Sequence, residues 1–148
     1  MTLAQASQPT RISAALLLLR IACAAAFLYH GSAILFGAFA GPGPERFAAS
    51  HHWPLALGYL VGLGQVAGGL AILCGILFRL GAACLFVIML GAIFTVHLPH
   101  GFDVSQGGFE YAFTQLLISA ALILTGPGKY SIAALFPGIS QHIPDTLR

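Results

Sequence analysis

Four long apolar stretches dominate this sequence and restrict what it can fold into. They cover residues 13–36, 55–78, 80–98 and 109–125. Because a helix needs roughly 20 apolar residues to cross the ~30 Å hydrocarbon core of a bilayer, each stretch is close to the length of one membrane span. Charged residues make up only 7% of the chain, whereas a soluble domain carries about 25%. The sequence therefore predicts an all-α membrane protein, built as a bundle of four transmembrane helices.

The segments between the stretches predict how the helices are connected. Arg79 alone separates the second stretch from the third, which indicates a tight hairpin. Glycine and proline at 126–128 are typical of the end of a helix and predict the end of the fourth span. The first connection, residues 37–53, is the longest. Within it, residues 44–53 predict a short helix lying in the membrane interface, with Trp53 as an anchor.

The basic residues predict the orientation of the bundle. One side of the predicted membrane carries Arg11, Arg79, Lys129 and Arg148. The opposite side carries Arg46, which has Glu45 as its neighbour. Since basic residues are enriched in cytoplasmic loops, both termini are predicted to be cytoplasmic. We accordingly divide the chain into a cytoplasmic N-terminal segment (1–12), a membrane domain (13–128) and a cytoplasmic tail (129–148).

Several function classes are excluded or disfavoured by the sequence. The formal net charge of +2 is too small to indicate a nucleic-acid surface. The three cysteines lie in apolar runs without CxxC spacing, which favours small packing residues over a redox or metal role. His97 and His100 are three apart, but Pro99 lies between them, so no metal site is predicted. A haem held between His30 and His97 is disfavoured as well.

Seven polar side chains at or near membrane depth are the candidate ligand-binding residues. A charged or strongly polar side chain inside a bilayer costs at least ~2.5–3.5 kcal/mol on insertion scales, so each one needs a partner or a purpose. The seven are Arg20, His30, Gln65, His97, Glu110, Tyr111 and Gln115. Most of them gather toward the outer ends of the helices, which predicts a polar pocket open to the outer face of the bundle.

Structural roles are open for the same residues. Arg20 can reach the cytoplasmic headgroups or bond to carbonyl groups of a neighbouring helix. For His30, His97 and Glu110, a hydrogen bond between helices is an alternative to a ligand contact. On the fourth stretch Tyr111, Gln115 and Ser119 recur at every fourth position, which predicts one polar stripe facing the bundle interior.

Five segments of the sequence resemble the DoxX family. They are LLLRIACAAAFLYHG (17–31), GLGQVAGGLAILCGILFR (62–79), MLGAIFTVHLPHGF (89–102), FEYAF (109–113) and LTGPGKYS (124–131). The family takes its name from a subunit of a thiosulfate:quinone oxidoreductase. The resemblance implies a four-helix, multi-pass protein of the bacterial inner membrane. It also implies polar positions at Arg20, His30, His97, Glu110 and Tyr111. Gln65 departs from the family pattern, because the family usually carries a glutamate at this position.

Three functions are compatible with these observations. The first is a redox-linked membrane subunit whose outer pocket binds a quinone, which would make the chain part of an oxidoreductase. The second is a scaffold that anchors partners and has no chemistry of its own. The third is a carrier for a small solute or a proton. The sequence identifies no cofactor; quinone is the candidate, and the expected partners are the lipid bilayer and another protein or a second copy of the chain, not nucleic acid.

Overall fold

A computed structural model describes residues 10–135 of the chain, together with 144, 146 and 147. These residues form helices and connecting turns and contain no β-strand, which confirms the predicted all-α fold. The α-helices are α1 (Thr10–Phe36), α2 (Gly43–Ser50), α3 (Leu55–Cys74), α4 (Phe78–Ala92), α5 (Glu110–Thr125) and α6 (Ile132–Leu135).

Three of the described helices are long and apolar enough to cross a membrane. They are α1, α3 and α4 together with its continuation to His100. Helix α5 is apolar but has only 16 residues, which corresponds to a rise of about 24 Å. Three of the four predicted spans therefore have full length in the structure, and the fourth is shorter than the ~30 Å of a typical hydrocarbon core.

Helix α4 continues beyond its regular part without a break in the backbone. A π-helical turn (Ile93–His97) follows it, and then a 3₁₀ turn (Leu98–His100) that contains Pro99. Proline fits at this position because the first residues of a helical turn have no intrahelical acceptor for their N–H groups. The helical segment consequently passes the predicted end at residue 98 and ends at His100.

The hairpin between α3 and α4 lies earlier in the chain than predicted. Helix α3 ends at Cys74, not at residue 78, because Gly75 adopts a left-handed conformation with φ 73°. Leu77 is also left-handed, with φ 49°, and α4 begins at Phe78. The turn is thus formed by apolar residues, and for this reason hydropathy alone does not reveal it. Arg79, predicted to separate the two helices, lies inside α4.

Small residues allow α3 to approach two neighbouring helices closely. A methyl group added to Gly62 would come within 3.0 Å of Leu35 on α1, and one added to Gly68 would come within 2.8 Å of Leu85 on α4. These contacts place α3 between α1 and α4. Gly62 and Gly68 each end a GxxxG spacing of this helix, at 58–62 and 64–68, and such spacings allow close packing of membrane helices.

The bundle has two ends, which we name by a residue at each. The Arg20 end holds the Gly75 turn and the glycine turn after α5. A methyl group added to Gly128, in the second of these turns, would lie 3.4 Å from Leu16 of α1. The His97 end holds the loop of residues 101–109. Between the two ends lies one buried apolar core, which includes Ile72, Phe78, Leu85 and Leu122.

The connections outside the core were predicted only in part. The short helix predicted within the first long connection is confirmed as α2. The ring of Phe47 in α2 packs with the rings of His51 and Trp53 after it, with centroids 4.7–5.9 Å apart. Its location in the membrane interface stays a prediction. Most of the predicted segment 1–12, and most of the tail beyond α6, lie outside the described residues.

Candidate functional site

The two aromatic side chains predicted to line a site, His30 and Tyr111, are in contact. His30 lies on α1 and Tyr111 on the first turn of α5, and their ring centroids are 5.8 Å apart at an angle of 57°. His30 also meets the ring of Tyr29 edge-on, with centroids 5.3 Å apart. Tyr29 in turn stacks on Phe39 at 4.7 Å. The imidazole of His30 is therefore in contact with two tyrosine rings, although His30 is exposed.

Two of the three residues of the predicted polar stripe of α5 face the interior. Gln115 is 7% exposed and Ser119 is fully buried. Tyr111, at the beginning of the stripe, is 40% exposed, so the stripe runs from an accessible tyrosine into the bundle. A helical period of 3.6 residues places every fourth side chain on nearly the same face, which explains why the sequence pattern was sufficient to predict this arrangement.

Gln65 lies near the middle of α3 and is 6% exposed. Its Cβ would be 2.8 Å from a methyl group added to Gly31, the residue that follows His30. Helix α1 thus carries His30 against α5 and, one residue later, packs against Gln65 on α3. The structure therefore places Tyr111 of α5 against His30, and Gln65 of α3 against the next residue of α1, Gly31.

Several buried oxygen atoms in this region have no hydrogen-bond partner among the described residues. They are Oε1 of Gln65, Oε1 of Gln115 and Oγ of Ser119. Leaving such an atom unsatisfied costs about 1–3 kcal/mol, so each one is available to a ligand or to water. Since an amide can present either its oxygen or its NH₂ group, the two glutamines can accept or donate a hydrogen bond.

His97 and Glu110 are used to hold the loop at the His97 end. Nδ1 of His97 donates to the carbonyl of Gly107 at 2.8 Å. The carboxylate of Glu110 accepts from the backbone N–H of Val104 at 3.2 Å. In the same loop, the backbone N–H of Ser105 bonds to Asp103 at 2.8 Å and holds the pKa of that carboxyl below its usual range. These contacts give both candidate residues a structural role at the rim.

Arg20 lies at the other end of the bundle, away from the His30–Tyr111 pair. Its side chain is 1% exposed. Nε donates to the carbonyl of Ile72 and Nη2 to that of Leu73, at 2.9 and 2.6 Å. Nη1 donates to the carbonyls of Pro127, at 2.9 Å, and Tyr130. The guanidinium group therefore joins α1 to the end of α3 and to the turn after α5.

Comparison with known protein families identifies the chain. The family model described as DoxX matches residues 15–98, more than half of the sequence. The chain belongs to the DoxX family. The matched region of this DoxX chain includes Arg20, His30, Gln65 and His97, while the stripe of α5 lies beyond it.

One relative of this DoxX chain carries a name that refers to chemistry. The protein named "Putative oxidoreductase CatD" from Bacillus subtilis (strain 168) is 30% identical over 110 residues, which cover 74% of this chain and 78% of the relative. No solved structure matches the chain. The comparisons therefore support a membrane protein of a redox-linked family.

Two surface recesses of about 400 Å³ lie elsewhere on the DoxX chain. One is lined by residues at the end of α1, by 41–46 and by Tyr59. The other is an apolar groove between α3 and α4 that includes Cys84. None of the seven candidate residues lines either recess. Within residues 10–135, 144, 146 and 147, no three His, Cys, Asp or Glu side chains are placed to hold a metal ion.

Two contacts in the DoxX chain were not predicted from the sequence. Cys23 is buried in the apolar core, as expected of a small packing residue, but its position beside the hydroxyl of Ser119 was not predicted. The acceptors of Arg20 are backbone carbonyls, which any residue type provides, so no pattern of side chains could have identified them. The position of Cys23 could have been predicted, because Cys23 and His30 lie seven residues apart on α1 and so share a helical face.

Proposed function

We propose that this protein is the membrane subunit of a redox-linked complex and binds a quinone between α1 and α5. The contact of His30 with Tyr111 carries the proposal. An imidazole N–H and a phenol O–H are donors that suit the carbonyl oxygens of a quinone. The free oxygens of Gln65 and Gln115 are acceptors that suit the hydroxyl groups of the quinol.

Both oxidation states of the ligand would thus find partners at this site. Reduction of a quinone to a quinol takes up two electrons and two protons. The side chains at the site carry protons, and an electron-carrying protein partner supplies the electrons. The relative named as an oxidoreductase supports the redox part of this proposal. His97 and Glu110 shape the rim, and Arg20 fixes the opposite end of the bundle.

Quinone binding provides the direct test. The purified protein in mild detergent is titrated with a short-chain ubiquinone by calorimetry. We expect His30→Ala and Tyr111→Phe each to weaken binding about tenfold, because one lost hydrogen bond to a ligand corresponds to about 1.4 kcal/mol. His100→Ala and Tyr59→Phe change the same residue types outside the site and should bind like the unmodified protein. Absence of saturable binding by the unmodified protein would refute the proposal.

A scaffold without its own chemistry is the second candidate. It is favoured by the use of Arg20, His97 and Glu110 for hydrogen bonds to the backbone. In that case the partly exposed aromatic group of Phe47, His51 and Trp53 would be a contact for a partner. Co-purification of a defined partner, together with no loss of complex activity in His30→Ala, would favour the scaffold over the quinone site.

We also propose that four helices cross a bacterial inner membrane, with both termini in the cytoplasm. Helix α5 begins after the loop at the His97 end, and the turn that follows it contacts α1 near Arg20. It therefore extends from one end of the bundle to the other despite its 16 residues. The basic residues near the Arg20 end support a cytoplasmic location for that end.

Reporter fusions test this topology. Alkaline phosphatase, which is active only outside the cytoplasm, is fused after Ser105, after Ile76 or after Ser131. We expect activity from the first fusion and none from the other two, because the second and third junctions lie at the Arg20 end. An active fusion after Ser131 would show that α5 does not cross the membrane.

A further inference from the structure

Buried polar atoms that no described group satisfies lie around α1, on the facing helices α3 and α5. Gln115 and Ser119 lie on α5, and Gln65 lies on α3 against α1; all three are more than nine-tenths buried. Each has a side-chain oxygen without a hydrogen-bond partner among the residues of the described ranges. Buried polar groups in folded proteins are nearly always hydrogen-bonded, and internal water is a common partner.

The hydroxyl group of Ser119 differs from the other helical hydroxyls of the bundle. Thr95, Thr114 and Thr125 each donate to the carbonyl four residues earlier, at 2.8–2.9 Å. Ser119 has the carbonyl of Gln115 at the same spacing, yet its hydroxyl makes no hydrogen bond to a described oxygen or nitrogen atom. It lies beside the thiol of Cys23 on α1, and a thiol is a weak hydrogen-bonding group. The hydroxyl therefore faces α1 and requires a further partner there.

We propose that water molecules fill a recess between α1 and α5. The recess begins at the His30–Tyr111 pair, whose side chains are exposed, and extends along Gln115 to Ser119 and Cys23. Water both donates and accepts, so it satisfies amide and hydroxyl oxygens alike. The proposal does not depend on quinone binding, because it concerns the protein without a ligand.

The recess is closed at its inner end. Arg20 lies one turn from Cys23 on α1, and its guanidinium group is tied to four carbonyls of two other segments. The ring of Phe78 lies 5.7 Å from the centre of that group. These side chains fill the space beyond Cys23, so water enters from the His97 end alone.

The native cysteines provide a test of this recess. A variant with Cys74→Ala and Cys84→Ala keeps only Cys23, and a variant with Cys23→Ala and Cys74→Ala keeps only Cys84. Cys23 has no exposed surface, whereas Cys84 is partly exposed on the apolar groove between α3 and α4. Both are treated with silver ions in oriented membrane vesicles, and the unreacted thiols are then counted with a maleimide in SDS.

We expect Cys23 to react at least ~10-fold faster than Cys84, although it is the more buried of the two, because a hydrated ion follows water and not lipid. The reaction should occur only from the side of the His97 end. Gln115→Leu and Ser119→Val should slow it about tenfold, whereas Thr114→Val, on the exposed face of α5, should leave it unchanged. Thermal unfolding checks that each variant is folded.

Three results would overturn the proposal. The first is a Cys23 that reacts no faster than Cys84 in folded protein while both react fully in SDS. The second is an equal rate from both sides of the membrane. The third is an unchanged rate in folded Gln115→Leu and Ser119→Val. Loss of quinone binding without these results would leave the recess intact, and so the two proposals fail separately.

Discussion

Replacing Arg20 with methionine is expected to lower the free energy of unfolding by at least about 3 kcal/mol. The guanidinium group donates to four carbonyls, and each hydrogen bond from a charged group contributes about 1.5–3 kcal/mol. Removing a charge from membrane depth returns about 2.5–3.5 kcal/mol, which offsets only part of this loss. Methionine fills a similar volume but leaves the carbonyls unpaired.

Two further variants separate the contributions to this effect. Arg20→Lys keeps the positive charge but lacks the planar fork of donors, and a single ammonium group cannot reach both Ile72 and Pro127 as the guanidinium does. We expect it to recover less than half of the lost stability. Arg46→Met removes an exposed arginine of the long first connection and serves as the matched control.

The measurement is an SDS titration in mild detergent, followed by the fluorescence of Trp53, the single tryptophan of the chain. Trp53 packs against Phe47 and His51 and not against Arg20, so the substitution does not change its surroundings directly. An Arg20→Met protein that unfolds at the same SDS fraction as Arg46→Met would contradict the proposed role of the guanidinium group.

The position of Arg20 could be predicted from the sequence, but its partners could not. Counting residues from the start of the apolar stretch places it about 10 Å inside the helix. Its acceptors lie more than 50 residues further along the chain. They are carbonyls freed by the ends of α3 and α5, so they become acceptors only once those helices have ended at particular residues.

The ends of the helices were also predicted only where the apolar pattern itself ends. The glycine turn at 126–128 was predicted, because the apolar stretch also ends there. The end of α3 at Cys74 was missed, since Ile76 and Leu77 continue the apolar pattern through the turn. Hydropathy records whether a segment can lie in lipid, whereas a turn depends on backbone conformation, here the left-handed Gly75 and Leu77.

The candidate site was predicted where it follows from helical periodicity. Gln115 and Ser119 lie four residues apart on one face of α5, and that face is buried. His97 and Glu110 were grouped with them by depth alone, and depth does not determine which way a side chain points. The folding of the loop 101–109 decides that, and this loop is fixed by hydrogen bonds that no periodic pattern encodes.

Replacing Gly31 with alanine is expected to destabilise the bundle by about 1–3 kcal/mol, the usual cost of adding a methyl group to a tightly packed interface. The new Cβ would lie 2.8 Å from Cβ of Gln65 and 2.9 Å from the backbone nitrogen of Val66. Neither atom can rotate away, because one is fixed to the backbone and the other is part of it. Helices α1 and α3 therefore have to separate.

Gly91→Ala makes the same chemical change in α4, where a methyl group meets nothing within 4 Å. Alanine has the higher helix propensity by about 1 kcal/mol, so this variant should be as stable as the unmodified protein or slightly more stable. The same SDS titration compares the two. Opposite signs are expected, because propensity favours alanine at both positions and only the approach of α3 opposes it at Gly31. If both variants gained stability, the close approach of α1 and α3 would be wrong, and with it the placement of Gln65 beside His30.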